Sequence, residues 1–225
     1  MRRRVALLSA AATLSVLFFA GSPSPAVAGT FEAVVLDDKG APIADAIVAG
    51  YPLGAAKANG EKPREIVDQV DSEFVPEVKA VRVGTEIVFP NKDNTRHHVY
   101  SFSRPKKFEL PLYKGVPADP VLFDKPGLVV LGCNIHDWMV GYVYVLETPY
   151  FAKTGRDGKA TLAALPPGEY EMRVYHPRAK KPESPAASLK ASVGSDAAAA
   201  TEFRLTLLPD TRRNRASRPN DPTYP

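Results

Sequence analysis

Short runs in which apolar and polar residues alternate fill most of the chain, and clusters of Gly, Pro, Asn and Asp separate them. The alternation predicts strands over 65–70, 78–83, 85–89, 97–103, 128–133 and 141–146. Two β-rich runs around Asp37-Asp38-Lys39-Gly40 give a hairpin signal near the start. Two more short strands flank Pro166-Pro167-Gly168, and a last one covers 201–208. The Ala-rich stretch before it has no apolar face and strand-like neighbours, so no helix of any length is predicted. The expected class is all-β, a sandwich or barrel.

Two styles of β text alternate. "VVLDDKGAPIADAIVAG" near the start, and Asp157-Gly158 followed by Leu165-Pro166-Pro167-Gly168-Glu169-Tyr170, carry turn residues between alternating strands. Together they resemble the prealbumin-like sandwich of carboxypeptidase-regulatory type. The resemblance implies a discontinuous small Ig-like sandwich, 29–53 with 149–209, with 60–148 inserted as a separate unit. The rival arrangement is one elaborated sandwich.

Composition and charge sharpen the picture. Arg2, Arg3 and Arg4 precede an apolar run over 5–20, and a Ser/Pro-rich stretch ends in Ala26-Val27-Ala28. Charged start, apolar middle and small residues before a cut read as a secretory leader, 1–28. The competing reading is a retained anchor. Its apolar run is short of the roughly 20 residues a span needs, and Pro23 and Pro25 interrupt it. No later segment is long and apolar enough to span, so a periplasmic or secreted protein with no transmembrane anchor after cleavage is expected. Setting aside the three leader arginines lowers the formal charge from +4 to +1. Arg212, Arg213, Arg215 and Arg218 then concentrate positive charge in a polar, Pro-containing tail, 210–225, that reads as disordered. The body is close to neutral, which argues against nucleic acid as a partner.

The chain has one cysteine. It cannot form an internal disulfide, and in an oxidising compartment it is a free thiol or has another partner, such as a metal. That residue, Cys133, opens the spacing Cys133-x2-His136-x2-Met139. Thiolate, imidazole and thioether are soft ligands, and a trigonal His2Cys set with a weak axial Met is the blue-copper arrangement. A second histidine must come from elsewhere, and "FPNKDNTRHHVYSFS" supplies His97 and His98 at the start of a predicted strand. Neighbours on a strand face opposite sides, so only one of the two can ligate.

The segment around these residues resembles the cupredoxins, most closely the amicyanin and plastocyanin branch and a "methylamine utilization" group of exported proteins. An Asn six residues before a His-x-Val pattern corresponds to Asn91, His97 and Val99. Cys133, His136 and Met139 follow in order, after a Pro-Gly turn in "FDKPGLVVLGCNIH". The resemblance implies a Greek-key cupredoxin domain over 60–148 holding one type 1 copper ion through His97, Cys133, His136 and Met139. Its register favours His97 over His98. His98 would stand where the family has an Asn that ties two loops together, and the axial position could be empty or filled by a carbonyl instead of Met139. Implied partners are redox proteins such as a c-type cytochrome or an amine dehydrogenase. Electrons would leave through His136, with Trp138 in an apolar patch around it and Asn134 near the Cys sulfur.

Three functions compete. A one-electron carrier is the expected one. A copper-delivery protein would favour Met- or His-rich tracts, which the sequence lacks. A metal-free structural or carbohydrate-binding module would not need the ligand set. His176 stands apart and reads as structural or surface, and no Ser-His-Asp or paired-carboxylate arrangement points to an enzyme.

Overall fold

The computed structural model describes residues 28–54, 63–117, 119–194 and 200–210. The predicted leader and basic tail lie outside them, apart from Ala28 and Asp210. Among the described residues, the strands in chain order begin with β1 (Gly29–Asp37), β2 (Ile47–Pro52), β3 (Arg64–Ile66), β4 (Asp68–Val70), β5 (Glu73–Val75) and β6 (Val78–Arg82). Next come β7 (Thr85–Val88), β8 (His97–Ser101), β9 (Phe108–Tyr113), β10 (Val121–Phe123), β11 (Gly127–Cys133) and β12 (His136–Leu146). The last five are β13 (Tyr150–Lys153), β14 (Lys159–Leu165), β15 (Gly168–Tyr175), β16 (Ala187–Val193) and β17 (Thr201–Leu205). No helix interrupts them among the described residues, and the chain is all-β as its alternation predicts.

Two sheets, β14-β1-β17 and β13-β2-β15-β16, take their strands from the two ends of the described chain. Inward residues of both, including Phe31, Val35, Val48, Leu162, Met172 and Phe203, form one core. A five-stranded sheet, β6-β12-β11-β8-β9, faces a smaller one, β10-β7-β3, with the hairpin β4-β5 beside them. Phe74, Ile87, Phe89, Val99, Phe123, Leu131 and Val143 fill a second core between them.

A third cluster joins the two. Ile47, Ala49 and Tyr175 from one side meet Val78, Leu128, Tyr144 and Leu146 from the other. This explains why "VYVL" at the end of β12 is apolar without alternation. Val143 and Val145 point into the second core while Tyr144 and Leu146 point into the third, so both faces are buried. The same holds for β2, whose Ile47, Val48 and Ala49 are all buried.

Some elements differ from the sequence reading. The hairpin signal at 37–40 is a tight turn, with Asp37 Oδ1 accepting from the amides of Lys39 and Ala41 at 2.9 and 2.8 Å. Beyond one bridge, Leu36 to Pro42, the flanking strands part and enter opposite sheets. The run at 65–70 is broken at Val67 into β3 and β4. Strand β9 contains Pro111, which signals against a strand; it lies at a sheet edge, where a missing N–H is tolerated. Strand β16, rich in Ser, Ala and Lys, is also an edge strand. Its half-polar composition hid it.

His176 follows β15. Its Nδ1 accepts from the Arg178 amide at 3.0 Å and its Nε2 donates to the Ala44 carbonyl at 3.3 Å. Burial pushes its pKa down to about 4.

Two outcomes follow from these contacts. Ile47→Ala, which opens a cavity in the shared cluster, should lower stability by about 2–5 kcal/mol in denaturant unfolding; an unchanged midpoint would show that this cluster contributes nothing. Because His176 has a depressed pKa, the stability it contributes is complete above about pH 6.5 and is lost as pH falls toward 4. That amounts to about 3 kcal/mol in metal-free protein. His176→Gln should flatten the stability–pH curve across that window.

Candidate metal centre

The centre is built where β8 and the β11–β12 hairpin meet. Gly132 on β11 pairs with Tyr100 on β8, which sets the start of β8 beside Cys133. A Cβ on Gly132 would lie 2.8 Å from Tyr100 Cζ, so the missing side chain leaves room for the Tyr100 ring to pack over the backbone. Along β8, His97, Val99 and Ser101 are buried and His98 and Tyr100, on the other face, are half-buried, the alternation of a strand with one face on a core. Beyond Gly132 the hairpin slips. Gly132 faces Val140 but Cys133 faces His136, so the register slips across Asp137, Trp138 and Met139. Asn134 and Ile135 form the turn between Cys133 and His136, and both are exposed.

Three donors converge. Cys133 Sγ lies 3.9 Å from His97 Nδ1 and 3.7 Å from His136 Nδ1. All three atoms lie within 4.8 Å of one another. An ion making bonds of about 2.0 Å to each nitrogen and about 2.3 Å to sulfur, spread at about 120°, separates nitrogen from sulfur by about 3.7 Å. The spacing matches a trigonal site of one thiolate and two imidazoles, and that donor set suits copper. Cys133 is 3% exposed and His97 is fully buried. Met139, 1% exposed, is packed in the same core as Cys133.

His98 points elsewhere. It sits at an irregularity in the β8–β9 pairing. Its Nε2 is 3.0 Å from Glu109 Oε1, close enough for a charge contact though not aligned as a hydrogen bond. Its ring stands 5.4 Å from that of Tyr100. The loop-tying role that the resemblance gives an Asn at this position is not one His98 performs. Asn91 ties its own loop instead: its Nδ2 donates to the carbonyls of Thr95 and Tyr113 at 2.9 and 2.8 Å, and its Oδ1 accepts from the Asp93 amide at 2.9 Å. Its backbone also pairs with Gly115.

One neighbour was not singled out from the sequence. Asp93 Oδ2 lies 2.7 Å from His97 Nε2, the nitrogen turned away from Cys133. Burial works against charge on Asp93, but the amides of Ser72 and Asp71 and the His97 ring together hold its pKa below the usual carboxylate range. No sequence signal identifies it, since "NKDN" reads as any polar turn. The partnership exists only once the β4–β5 turn and the loop before β8 are folded together.

His136 is half-buried, and its ring lies 5.0 Å from that of His97 and 5.0 Å from that of Trp138. Burial, then repulsion from His97, lowers its pKa. Ile135, 39% exposed, adds apolar surface beside the ring. His176 belongs to the other sandwich and takes no part.

No protein-family model matches the chain, and no curated protein is similar to it in sequence. Among solved structures it is similar to the Cu-containing nitrite reductase NirK from Thermus scotoductus SA-01, at 30% identity and TM-score 0.36 over 43% of this chain. The chain spans 25% of that reductase. It is also similar to a purple cupredoxin from Nitrosopumilus maritimus, at 22% identity and TM-score 0.32 over 37% of this chain and 99% of that one. A reduced amicyanin mutant aligns at 20% identity and TM-score 0.34, over 44% of this chain and 99% of that one.

The two adjacent histidines make a direct test. His97→Ala should weaken binding of a soft transition ion by more than the roughly 100-fold that loss of an outer partner costs, and His98→Ala should leave it unchanged, as read by competitive metal titration.

Proposed function

We propose that this chain is an exported mononuclear type 1 copper protein that carries single electrons between redox partners and catalyses no reaction of its own. The observation that carries this reading is the meeting of Cys133 Sγ with the Nδ1 atoms of His97 and His136, two histidines from separate parts of the chain. A bound copper ion supplies reversible one-electron chemistry between Cu(II) and Cu(I).

The chain's own residues do the rest. Cys133 offers a thiolate in a pocket closed to water, and His97 is held rigidly behind it. Met139, buried in the same core as Cys133, would supply a weak thioether donor. Donors carried on paired strands move little, so oxidation and reduction need little rearrangement. His136 has the accessible edge of the set, with Trp138 and Ile135 around it, and is the exit to a partner. A c-type cytochrome or an amine dehydrogenase is the class of partner such an apolar, histidine-centred face suits, in the periplasm or outside the cell.

Purified protein given Cu(II) should develop intense visible absorption from Cys-to-copper charge transfer, absent in Cys133→Ser, and should exchange electrons reversibly with a c-type cytochrome. A colourless complex, or Cu(I) passed to an acceptor protein without redox turnover, would sink the carrier reading.

A further inference from the structure

The carboxylate behind His97 is itself held in place by a piece of backbone with an uncommon conformation. Strands β4 and β5 pair Val70 with Glu73, leaving Asp71 and Ser72 as the two turn residues. Both are left-handed, at φ 54° and 58°, and neither is glycine. Left-handed geometry at both positions suits a two-residue hairpin turn, where Asn-Gly or Gly-Gly is the easy choice. What Asp71 and Ser72 gain is visible in their amides. Asp71 N donates to Asp93 Oδ1 at 2.8 Å, and Ser72 N donates to Asp93 Oδ2 at 2.9 Å. Successive backbone N–H groups of this kind form a small anion-binding concavity. The hairpin is anchored where it must be, since Phe74 is buried against Gly141 of β12. From the other side, the Asp93 amide is tied to Asn91 Oδ1.

Asp93 is therefore gripped at both oxygens and still reaches His97 Nε2 at 2.7 Å. An ionised carboxylate only accepts hydrogen bonds. The proton of a neutral His97 ring must then sit on Nε2, leaving Nδ1 bare and facing Cys133 Sγ. We propose that Asp93, clamped by the Asp71-Ser72 turn, is the positioning residue of the centre. It selects the metal-binding tautomer of His97 before any ion arrives and strengthens that ring as a donor. The part concerning donor strength rests on the copper reading above; the part concerning the tautomer does not. A more strongly donating His97 favours the higher-charged Cu(II) over Cu(I), so the Asp93 carboxylate lowers the reduction potential.

The test has a metal-free arm and a copper arm. In metal-free protein, long-range 1H–15N spectra should show His97 with a slowly exchanging proton on Nε2 and an unprotonated Nδ1. Asp93→Ala should lose that preference, and Asp93→Asn, which keeps an acceptor oxygen, should retain it. With copper, Asp93→Ala should bind Cu(II) about 10- to 100-fold more weakly and lose less affinity for Cu(I). Each tenfold difference between the two losses raises the potential by about 59 mV. Asp93→Asn should also raise the potential, by a smaller amount, and it decides the matter if the alanine variant does not fold. A wild-type His97 protonated on Nδ1, or a potential unmoved in Asp93→Asn, overturns the proposal. If the tautomer depends on Asp93 but the wild-type protein takes up no copper, the proposed function fails and the positioning role of Asp93 stands.

Discussion

The centre depends on β8 lying directly against β11. His97 and Cys133 are 36 residues apart in sequence, and no local preference brings them together. Their meeting is set by the pairing of Gly132 with Tyr100 and by the absence of a side chain at Gly132, which lets the Tyr100 ring pack over the backbone. A side chain there would displace that ring. Pairing of strands fixes position to a fraction of a residue spacing, which a loop alone does not provide.

Behind that pairing stands a polar layer in which few groups are left to chance. Gln69, fully buried, donates to the Phe89 carbonyl at 3.0 Å and to Tyr113 Oη at 2.6 Å. Its backbone is bonded on both sides to the segment 90–92, and Asn91 continues the chain of bonds to Thr95, Tyr113 and Gly115. Buried polar groups are costly unless paired, and a nearly satisfied network specifies one arrangement of a loop that would otherwise have many. That arrangement delivers Asp93 to His97. The rigidity of the front of the centre is thus inherited from the hydrogen bonding at its back.

The second sandwich contributes at a distance. Strand β12 carries His136 and Met139 near one end and Tyr144 and Leu146 near the other. The far end is buried between the two sandwiches, so there the strand is held on both faces. At the other end, β12 slips by three residues against β11, and His136 there is half-buried.

Alternation of apolar and polar residues was enough to read the all-β class, and most of the strands that build the centre, because a face on a core imposes a period of two. The spacing Cys133-x2-His136-x2-Met139 was legible for the same kind of local reason, since a short turn between paired strands keeps near neighbours together. The choice between His97 and His98 was partly legible: two adjacent strand residues cannot face one way, but which one faces inward is decided by the pairing with β11. Strands β9 and β16 were missed because edge positions tolerate Pro111 and half-polar runs that an inner strand would reject. The parting of β1 and β2 into opposite sheets was hidden because turn chemistry acts over four residues and sheet choice over the whole chain. Asp93 and its clamp were beyond any sequence reading. A carboxylate four residues before a histidine is commonplace, and only the tertiary structure sets two left-handed amides on one side of it and an imidazole on the other.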